Sequence, residues 1–288
     1  MKTFYYVHTG HRIGLDRFRR ATTILRALGD DDITLLSSDF RISHIGRDFG
    51  VRDCVGIDVV RNIPQIAHHG DKLIFDSDEA NPIMLDDMRK FFSTFIRISD
   101  RKDDKKEENE ILFSPYLKGE GIYNGVAIDD KYFGDFEKTT PLSFFFGDDD
   151  YEKDLEKHLD ILEDLNPSLQ LGFYYFLDYE EILKNKFSHC FEFEDYDEMI
   201  TSSEILITSS PQAVLESLAS GGKPIYLQRD NYENNFNELF AEFNIPIIQN
   251  YNKNEISVIF NTINNINYHK IKKNSNDYTH FLKEYLNS

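Results

Sequence analysis

Residues 205–248 read ILITSSPQAVLESLASGGKPIYLQRDNYENNFNELFAEFNIPII. The apolar run Ile205-Leu206-Ile207 ends in Thr208-Ser209-Ser210, Pro211 stands at the first helical position, and Glu216 follows about one and a half turns in. Small hydroxyl residues between a strand and a helix leave several backbone N–H groups converging on one point, with the positive end of the helix dipole behind them. Such a point attracts an anion. A second strand, Pro224–Leu227, leads on to an Asn-rich helix, so the stretch reads as one β-α-β unit of a parallel sheet.

Working outward, the same alternation fills the chain. Strands are predicted at Phe4–His8, Ile33–Ser37, Lys72–Asp76, Phe95–Ser99 and Ile111–Ser114, with helices at Arg17–Leu28, Ser43–Phe49 and Pro82–Phe92. A second series has strands at Leu142–Phe146, Leu169–Phe176, Cys190–Phe193, Ile205–Thr208, Pro224–Leu227 and Ile245–Ile248. Its helices fall at Glu152–Asp164, Tyr179–Lys186, Pro211–Ala219 and Glu233–Phe243. Two β/α series predict an α/β chain of two Rossmann-like domains. The break belongs near Phe136–Pro141, which gives domains at 1–138 and 139–288. A last amphipathic segment, Tyr278–Leu286, is placed to cross back to the first domain. In the Asn-rich tract from Asn250 to Asn276, Ile256, Ile259, Phe260 and Ile263 keep helical spacing. Asp100–Glu110, a mixed charge run, reads as an exposed loop.

With 288 residues the chain is long enough for two cores, and 32 basic against 51 acidic residues give a net charge of −19. That charge argues against nucleic acid or an anionic membrane as a general partner. No run of eighteen apolar residues exists, and Met1–Thr9 lacks the pattern of a secretory leader, so a cytoplasmic location and no membrane span are expected. Cys54 and Cys190 lie far apart and read as small buried hydrophobes.

The strand Phe4–His8 runs into TGHRIGLDRFRR. Gly10 and Gly14 permit a close backbone approach, and Asp16 is placed to cap a helix whose buried stripe is Phe18, Ala21, Leu25 and Leu28. Arg17, Arg19 and Arg20 then crowd the first turn, where the dipole disfavours cations by roughly 0.3–1 kcal/mol each. Something anionic is expected to offset them.

These pieces carry a resemblance. The 205–248 stretch resembles the C-terminal domain of GT-B-type nucleotide-sugar enzymes. IGLDRFRR, with Ala21 and Leu25, resembles the opening of the PseG/SpsG family, hydrolases that remove the nucleotide from a UDP-linked deoxyamino sugar. The strand ending in Asp76, the element Gly125–Phe133 and FFFGDDD at 144–150 are similar to that family in order and spacing. The resemblance implies a GT-B-like arrangement with an interdomain cleft. It implies that Ser209, Ser210 and Gln212 meet the diphosphate, Glu216 the ribose and Tyr196 the base, with Gly10, Arg12, Gly14, Arg20, Gly147, Asn231 and Asn235 also against the substrate. A UDP-sugar is the partner it implies, in surface-glycan or nonulosonic acid synthesis, with no cofactor. The oligomeric state stays open.

The chain departs from that family where chemistry matters most. Arg17 stands at the position of the family's catalytic His and Asp16 at that of the preceding Gly, while Gly147-Asp148 replaces a Gly-Gly. A guanidinium is always protonated and cannot be a general base. His11, Asp16 and Asp76 are the candidates to replace it, and His11 is favoured because a histidine suits proton transfer near neutral pH. Arg17 or Arg20 would stabilise charge on the departing nucleotide. Asp76-Ser77-Asp78-Glu79 and Asp148–Asp150 offer oxygen ligands, but the second reads more simply as an acidic helix start; adjacent His68-His69 diverge, and no metal site is expected. The resulting expectation is cleavage of the anomeric C1–O bond of a nucleotide-sugar by water. The alternatives are a GT-B glycosyltransferase and an inactive nucleotide-sugar binding protein.

Overall fold

The structure is a computed structural model describing residues 1–29, 32–79, 81–162, 164–173, 177–230, 232–249 and 251–288. Asn231, residues 174–176 of the expected strand Leu169–Phe176, and Asn250 at the head of the Asn-rich tract lie outside the described residues. The chain divides into two compact units, one comprising 1–10, 17–127 and 274–288, the other 11–16 and 128–273.

The first unit is built on β1 (Thr3–Val7), α1 (Asp16–Leu28, from Arg17 onward), β2 (Ile33–Ser37), α2 (Phe40–Ile45), β3 (Cys54–Gly56), α3 (Ile63–Ile66), β4 (Lys72–Asp76), α4 (Pro82–Phe91), β5 (Thr94–Ile98), β6 (Ile111–Ser114) and β7 (Ile122–Asn124). The strands are parallel, in the order β3-β2-β1-β4-β5-β6-β7. Every residue of β4 is buried, as a strand covered by helices on both faces requires. α4 forms where Asn81 accepts from the Ile83 and Met84 amides and Pro82 opens the first turn. From β1 the chain winds outward through β2 and β3, then returns to β4 on the other side of β1. The carboxyl ends of β1 and β4 are therefore the topological switch point, the place where open α/β sheets put ligand groups.

The second unit holds β8 (Thr140–Phe145), α5 (Leu159–Leu162), β9 (Ser168–Gln170), α6 (Leu177–Lys184), β10 (Cys190–Phe191), α7 (Tyr196–Ser202), β11 (Ser203–Thr208), α8 (Pro211–Ala219), β12 (Lys223–Gln228), α9 (Asn237–Glu242), β13 (Ile247–Gln249) and α10 (Lys253–Thr262). Its order is β10-β9-β8-β11-β12-β13, again parallel, with the switch point between β8 and β11. Leu142, Phe144, Ile205, Ile207, Ile225 and Leu227 point to one face and form its core with Tyr179, Leu183 and Ile256. The last helix, α11 (Ser275–Leu286), belongs to the first unit, where Tyr278 sets its ring edge-on to Phe113 and Tyr123.

Several elements differ from expectation. Ser43–Phe49 is displaced to α2 because Asp39 accepts from the Arg41 amide and starts the helix earlier. The expected helix Glu152–Asp164 is a 3₁₀ turn at Asp154–His158 followed by the four residues of α5. Asp100–Glu110 is not simply exposed: Glu110 is 2 % exposed and, with Asp104, binds the Arg97 guanidinium. Burial pushes the Cys54 thiol up to about 12, consistent with a packing role. Among the described residues no helix is long and apolar enough to cross a membrane.

Tyr278 is 1 % exposed. Tyr278→Ala should lower stability by about 3–5 kcal/mol through the cavity it opens. Urea unfolding followed by circular dichroism measures this, and a loss under about 1 kcal/mol would mean that α11 is not docked through this ring.

Candidate functional site

In the second unit the polar groups gather at the carboxyl ends of β8 and β11. Thr208 ends β11 and its hydroxyl accepts from the Ser210 amide at 3.0 Å, which bends the chain into α8. Ser210 caps that helix, its Oγ accepting from the Ala213 amide at 3.1 Å. The Ser209 amide donates to the Phe145 carbonyl at 3.2 Å, so the donors that share one acceptor are the Ser210 hydroxyl and the Gln212 amide rather than the run of amides the sequence suggested. An anion already sits among them: Asp16 accepts from Ser210 Oγ at 2.6 Å and from the Gln212 amide at 3.2 Å. The Ser209 hydroxyl beside them is buried and lies next to the Tyr251 hydroxyl.

Glu216 is 1 % exposed, one turn beyond Gln212 on the same face of α8. Its two oxygens accept from Gln212 Nε2 at 2.8 Å and from the Tyr196 hydroxyl at 2.6 Å. Tyr196 opens α7 and packs against Phe145. Gln212, Glu216 and Tyr196 therefore form one hydrogen-bonded chain, and Asp16 joins Ser210 to it through the Gln212 amide.

The turn after β8 is a second cluster. Gly147 has φ +128, and a Cβ there would stand 2.7 Å from Asp149 Oδ1, so only glycine fits. Gly14, at φ +82, faces the same carboxylate, with 3.6 Å between its Cβ position and that of Asp149. Asp149 is paired with Arg229 at 2.9 Å, and the guanidinium lies between the rings of Phe146 and Tyr232, 4.3 and 4.2 Å from their centroids. The flanking acids are used separately: Asp148 accepts from the Phe173 amide and Asp150 from Asp154, Leu155 and Tyr179. Three carboxylates with three sets of partners do not make a cation site, and among the described residues no group of three or more His, Cys, Asp or Glu could hold a metal. His11 packs on Tyr151 with ring centroids 4.5 Å apart, while Arg12 pairs with Glu152 at the surface and Asn235 donates to Glu233.

In the first unit the switch point carries a different set. Asp76, fully buried at the end of β4, is gripped by Arg20, whose Nε and Nη2 donate to its two oxygens at 2.9 and 2.5 Å; Arg20 Nη1 reaches Asp100 at 2.5 Å. Burial works against the Arg20 charge, but Asp100 and Asp76 outweigh it and raise its pKa. The anions that offset the crowded arginines of α1 are thus the protein's own. His8 directly follows β1, is half-buried at 22 % side-chain exposure, and its Nδ1 bonds to Asp78 Oδ1. Arg17 holds the other Asp78 oxygen at 3.3 Å. Burial acts to raise the Asp78 carboxyl pKa, yet the His8 hydrogen bond and the Arg17 charge outweigh it and hold the group well below the usual carboxylate range. Gly10 is buried where this turn leaves the first unit.

The His8–Asp78 pair is the feature that reading the sequence missed. The sequence makes His8 only the last position of a strand, and its partner lies 70 residues away. The topology is the signal that finds it, since a histidine at the end of β1 and a carboxylate two residues past β4 must meet once those strands are neighbours.

Neither a family model nor a curated protein sequence matches the chain. Solved structures do. The Methanocaldococcus jannaschii UDP-GlcNAc 2-epimerase in complex with UDP-GlcNAc and UDP superposes with TM-score 0.65 at 13 % identity, over 100 % of each chain. The S. aureus MnaA–UDP co-structure gives 0.64 at 12 %, over 100 % of this chain and 97 % of the other, and Acinetobacter baumannii MurG gives 0.58 at 10 %, over 99 % and 100 %. The fold is accordingly that of the GT-B class, two Rossmann-like α/β domains with parallel sheets.

Asp149 supplies a test of the second cluster. Burial pushes its carboxyl up to about 6, against the pull of Arg229. A carboxyl raised on folding stabilises the fold below its unfolded value of about 4, and that contribution, about 3 kcal/mol, is lost as pH rises through the folded value. The stability gap between wild type and Asp149→Asn, measured by urea unfolding, should therefore move in favour of the variant by up to about 3 kcal/mol between pH 4 and 8. A gap that stays constant or moves the other way would place the Asp149 pKa at or below its ordinary value.

Proposed function

We propose that this chain processes a nucleotide-sugar, most simply a UDP-sugar, and cleaves its anomeric C1–O bond. One observation carries the reading: the Ser210 hydroxyl and the Gln212 amide turned to a common acceptor at the start of α8, followed on the same helix by the buried carboxylate Glu216. Backbone amides at a helix N-terminus suit a diphosphate, and a buried carboxylate next to them suits ribose hydroxyls. The names of the structural neighbours, which include complexes with UDP, support the choice of nucleotide.

The chemistry then asks for a base, and His8 with Asp78 fits the role better than His11, Asp16 or Asp76. Asp76 is held by Arg20 and Asp16 by α8, whereas Asp78 orients the His8 ring through Nδ1 and leaves Nε2 to act. Water attacks the anomeric carbon, the bond from that carbon to the phosphate oxygen breaks with its electron pair leaving on the nucleotide, and His8 takes the proton that water gives up. Asp78 balances the imidazolium. With water as acceptor this is a hydrolysis of the PseG kind, in surface-glycan or nonulosonic acid synthesis. A glycosyltransferase, in which a sugar hydroxyl replaces water, is the second reading, favoured by neighbours that are themselves named glycosyltransferases.

Incubation with a panel of UDP-, GDP- and CMP-sugars, with and without glycan acceptors, should release nucleotide. Release without acceptor supports hydrolysis, release only with acceptor supports transfer, and no release under either condition sinks both. UDP should bind, and Glu216→Ala should weaken it by about 1–3 kcal/mol in calorimetry, the range for hydrogen bonds to a charged partner. Equal UDP affinity in wild type and variant would remove Glu216 from the nucleotide site.

For the base, His8→Ala should lower kcat by roughly 10²–10⁴-fold while leaving UDP affinity unchanged. Added imidazole should restore part of the rate, which a merely structural histidine would not permit. Full turnover by His8→Ala would return the search to His11.

A further inference from the structure

We infer that Arg229 is an oxyanion-binding residue of the second unit, and that its carboxylate partner Asp149 takes up a proton from solvent when the ligand arrives. This deepens the nucleotide-sugar reading proposed above and rests on it. Arg229 is the first residue past β12, and Asp149 stands in the turn after β8. In the sheet order β8-β11-β12 their pairing crosses the carboxyl end of β11, the strand that leads into α8. The guanidinium is fixed there. Phe146 and Tyr232 lie over it with ring centroids 4.3 and 4.2 Å away, and Gln228 Nε2 ties down the carbonyls of Arg229 and Tyr232 at 3.0 Å each. Its in-plane N–H groups remain as the bonding edges.

One of its three nitrogens is used. Nη1 donates to Asp149 Oδ1 at 2.9 Å, while Nε and Nη2 make no hydrogen bond among the described residues. Those two nitrogens form the side of a guanidinium that grips a carboxylate or phosphate through two parallel bonds. The Arg229 side chain is 5 % exposed, so bulk water does little to satisfy them. An arginine buried with its paired edge open is a seat for an oxyanion.

A second anion on one guanidinium requires the first to give up its charge. The Asp149 side chain is 6 % exposed, and burial pushes its carboxyl up to about 6 against the pull of Arg229, with the Asp16 charge adding to the push. At pH 7 such a group is roughly nine-tenths ionised, so a small further rise protonates it. An incoming oxyanion supplies that rise by repulsion at short range and by sharing the charge of Arg229. The net charge of the pair with its ligand then stays as it was. Tyr226 on β12 and Tyr251 past β13 also face Asp149, but burial raises both phenols above their usual range. Burial lowers the His158 imidazole, which feels the Arg229 charge. Asp16 and Asp150 are the other acids at the pair, and replacing Asp149 alone separates it from them.

Calorimetry on the full chain with UDP-glucose, UDP-glucuronate and uridine reads the coupling, because the anionic groups of both nucleotide-sugars stay ionised from pH 7 to 8. Titration in two buffers of different ionisation enthalpy should show uptake of about one proton by wild type and none by Asp149→Asn. Wild-type affinity should fall roughly tenfold from pH 7 to 8, while that of Asp149→Asn stays level and uridine shows neither effect. Arg229→Lys, which keeps the charge without the paired edge, should weaken the nucleotide-sugars about tenfold or more, and unchanged affinity would remove Arg229 from the site. The wild-type proton count carries the test if a variant fails to fold. Coupling with both sugars assigns the oxyanion to the diphosphate, and coupling with UDP-glucuronate alone assigns it to a sugar carboxylate. Binding with no proton uptake would overturn the inference and leave the nucleotide-sugar reading standing. If neither nucleotide-sugar binds, that reading falls and sulfate decides. A rise in melting temperature that is larger at pH 7 than at pH 8 in wild type, and equal at both in Asp149→Asn, upholds the site; any other pattern overturns it.

Discussion

A charge taken out of water must be met by an opposite charge, and in this chain the meeting points lie at the carboxyl ends of the parallel sheets. In the first unit Arg20 binds Asp76 at the end of β4 and Asp100 past the end of β5. In the second, Arg229, past the end of β12, binds Asp149 past the end of β8. Buried ion pairs of this kind add little net stability relative to well-packed apolar residues, because desolvation offsets most of the attraction. Breaking one, however, strands the other charge. Their effect is to fix where the turns after the central strands run, and the turns in turn place His8, Asp78, Gly147 and Gly14.

How much of this was legible depended on whether the signal was local. Ile33–Ser37, Lys72–Asp76, Ile111–Ser114 and Pro211–Ala219 match their predicted limits because each has a continuous apolar pattern bounded by a cap or a turn residue. The three-residue strands Cys54–Gly56 and Ile122–Asn124 are too short to show a period, and only pairing with β2 and β6 makes them strands. The helix Tyr196–Ser202 follows a 3₁₀ turn at Phe193–Asp195 closed by a capping box between Glu192 and Asp195, a local start that no apolar period announces. At the site, the Ser210 cap and its neighbour Glu216 could be read from spacing. That Asp16 would reach Ser210 across 194 residues could not, and neither could the pairing of His8 with Asp78.

The acidic balance of the chain takes on meaning beside these contacts. A net charge of −19 repels anions at a distance, and Arg17, Arg20 and Arg229 near the switch points are each matched by a carboxylate of the same unit. Attraction for an anionic ligand then falls largely to hydrogen-bond donors at short range, and a seat made of such donors selects by geometry more than by charge.

The return of α11 to the first unit has a consequence for how the molecule is made. Residues 274–288 pack with strands formed from residues 1–127, while the second unit is contained within 11–16 and 128–273. During synthesis every segment of the second unit leaves the ribosome before α11 does. The second unit has all its parts available to fold first, although it comes later in the chain, and the sheet that begins to emerge earliest must wait with the ring pocket of Phe113 and Tyr123 uncovered until Tyr278 arrives. The interval before that pocket closes is set by the time needed to translate the second unit.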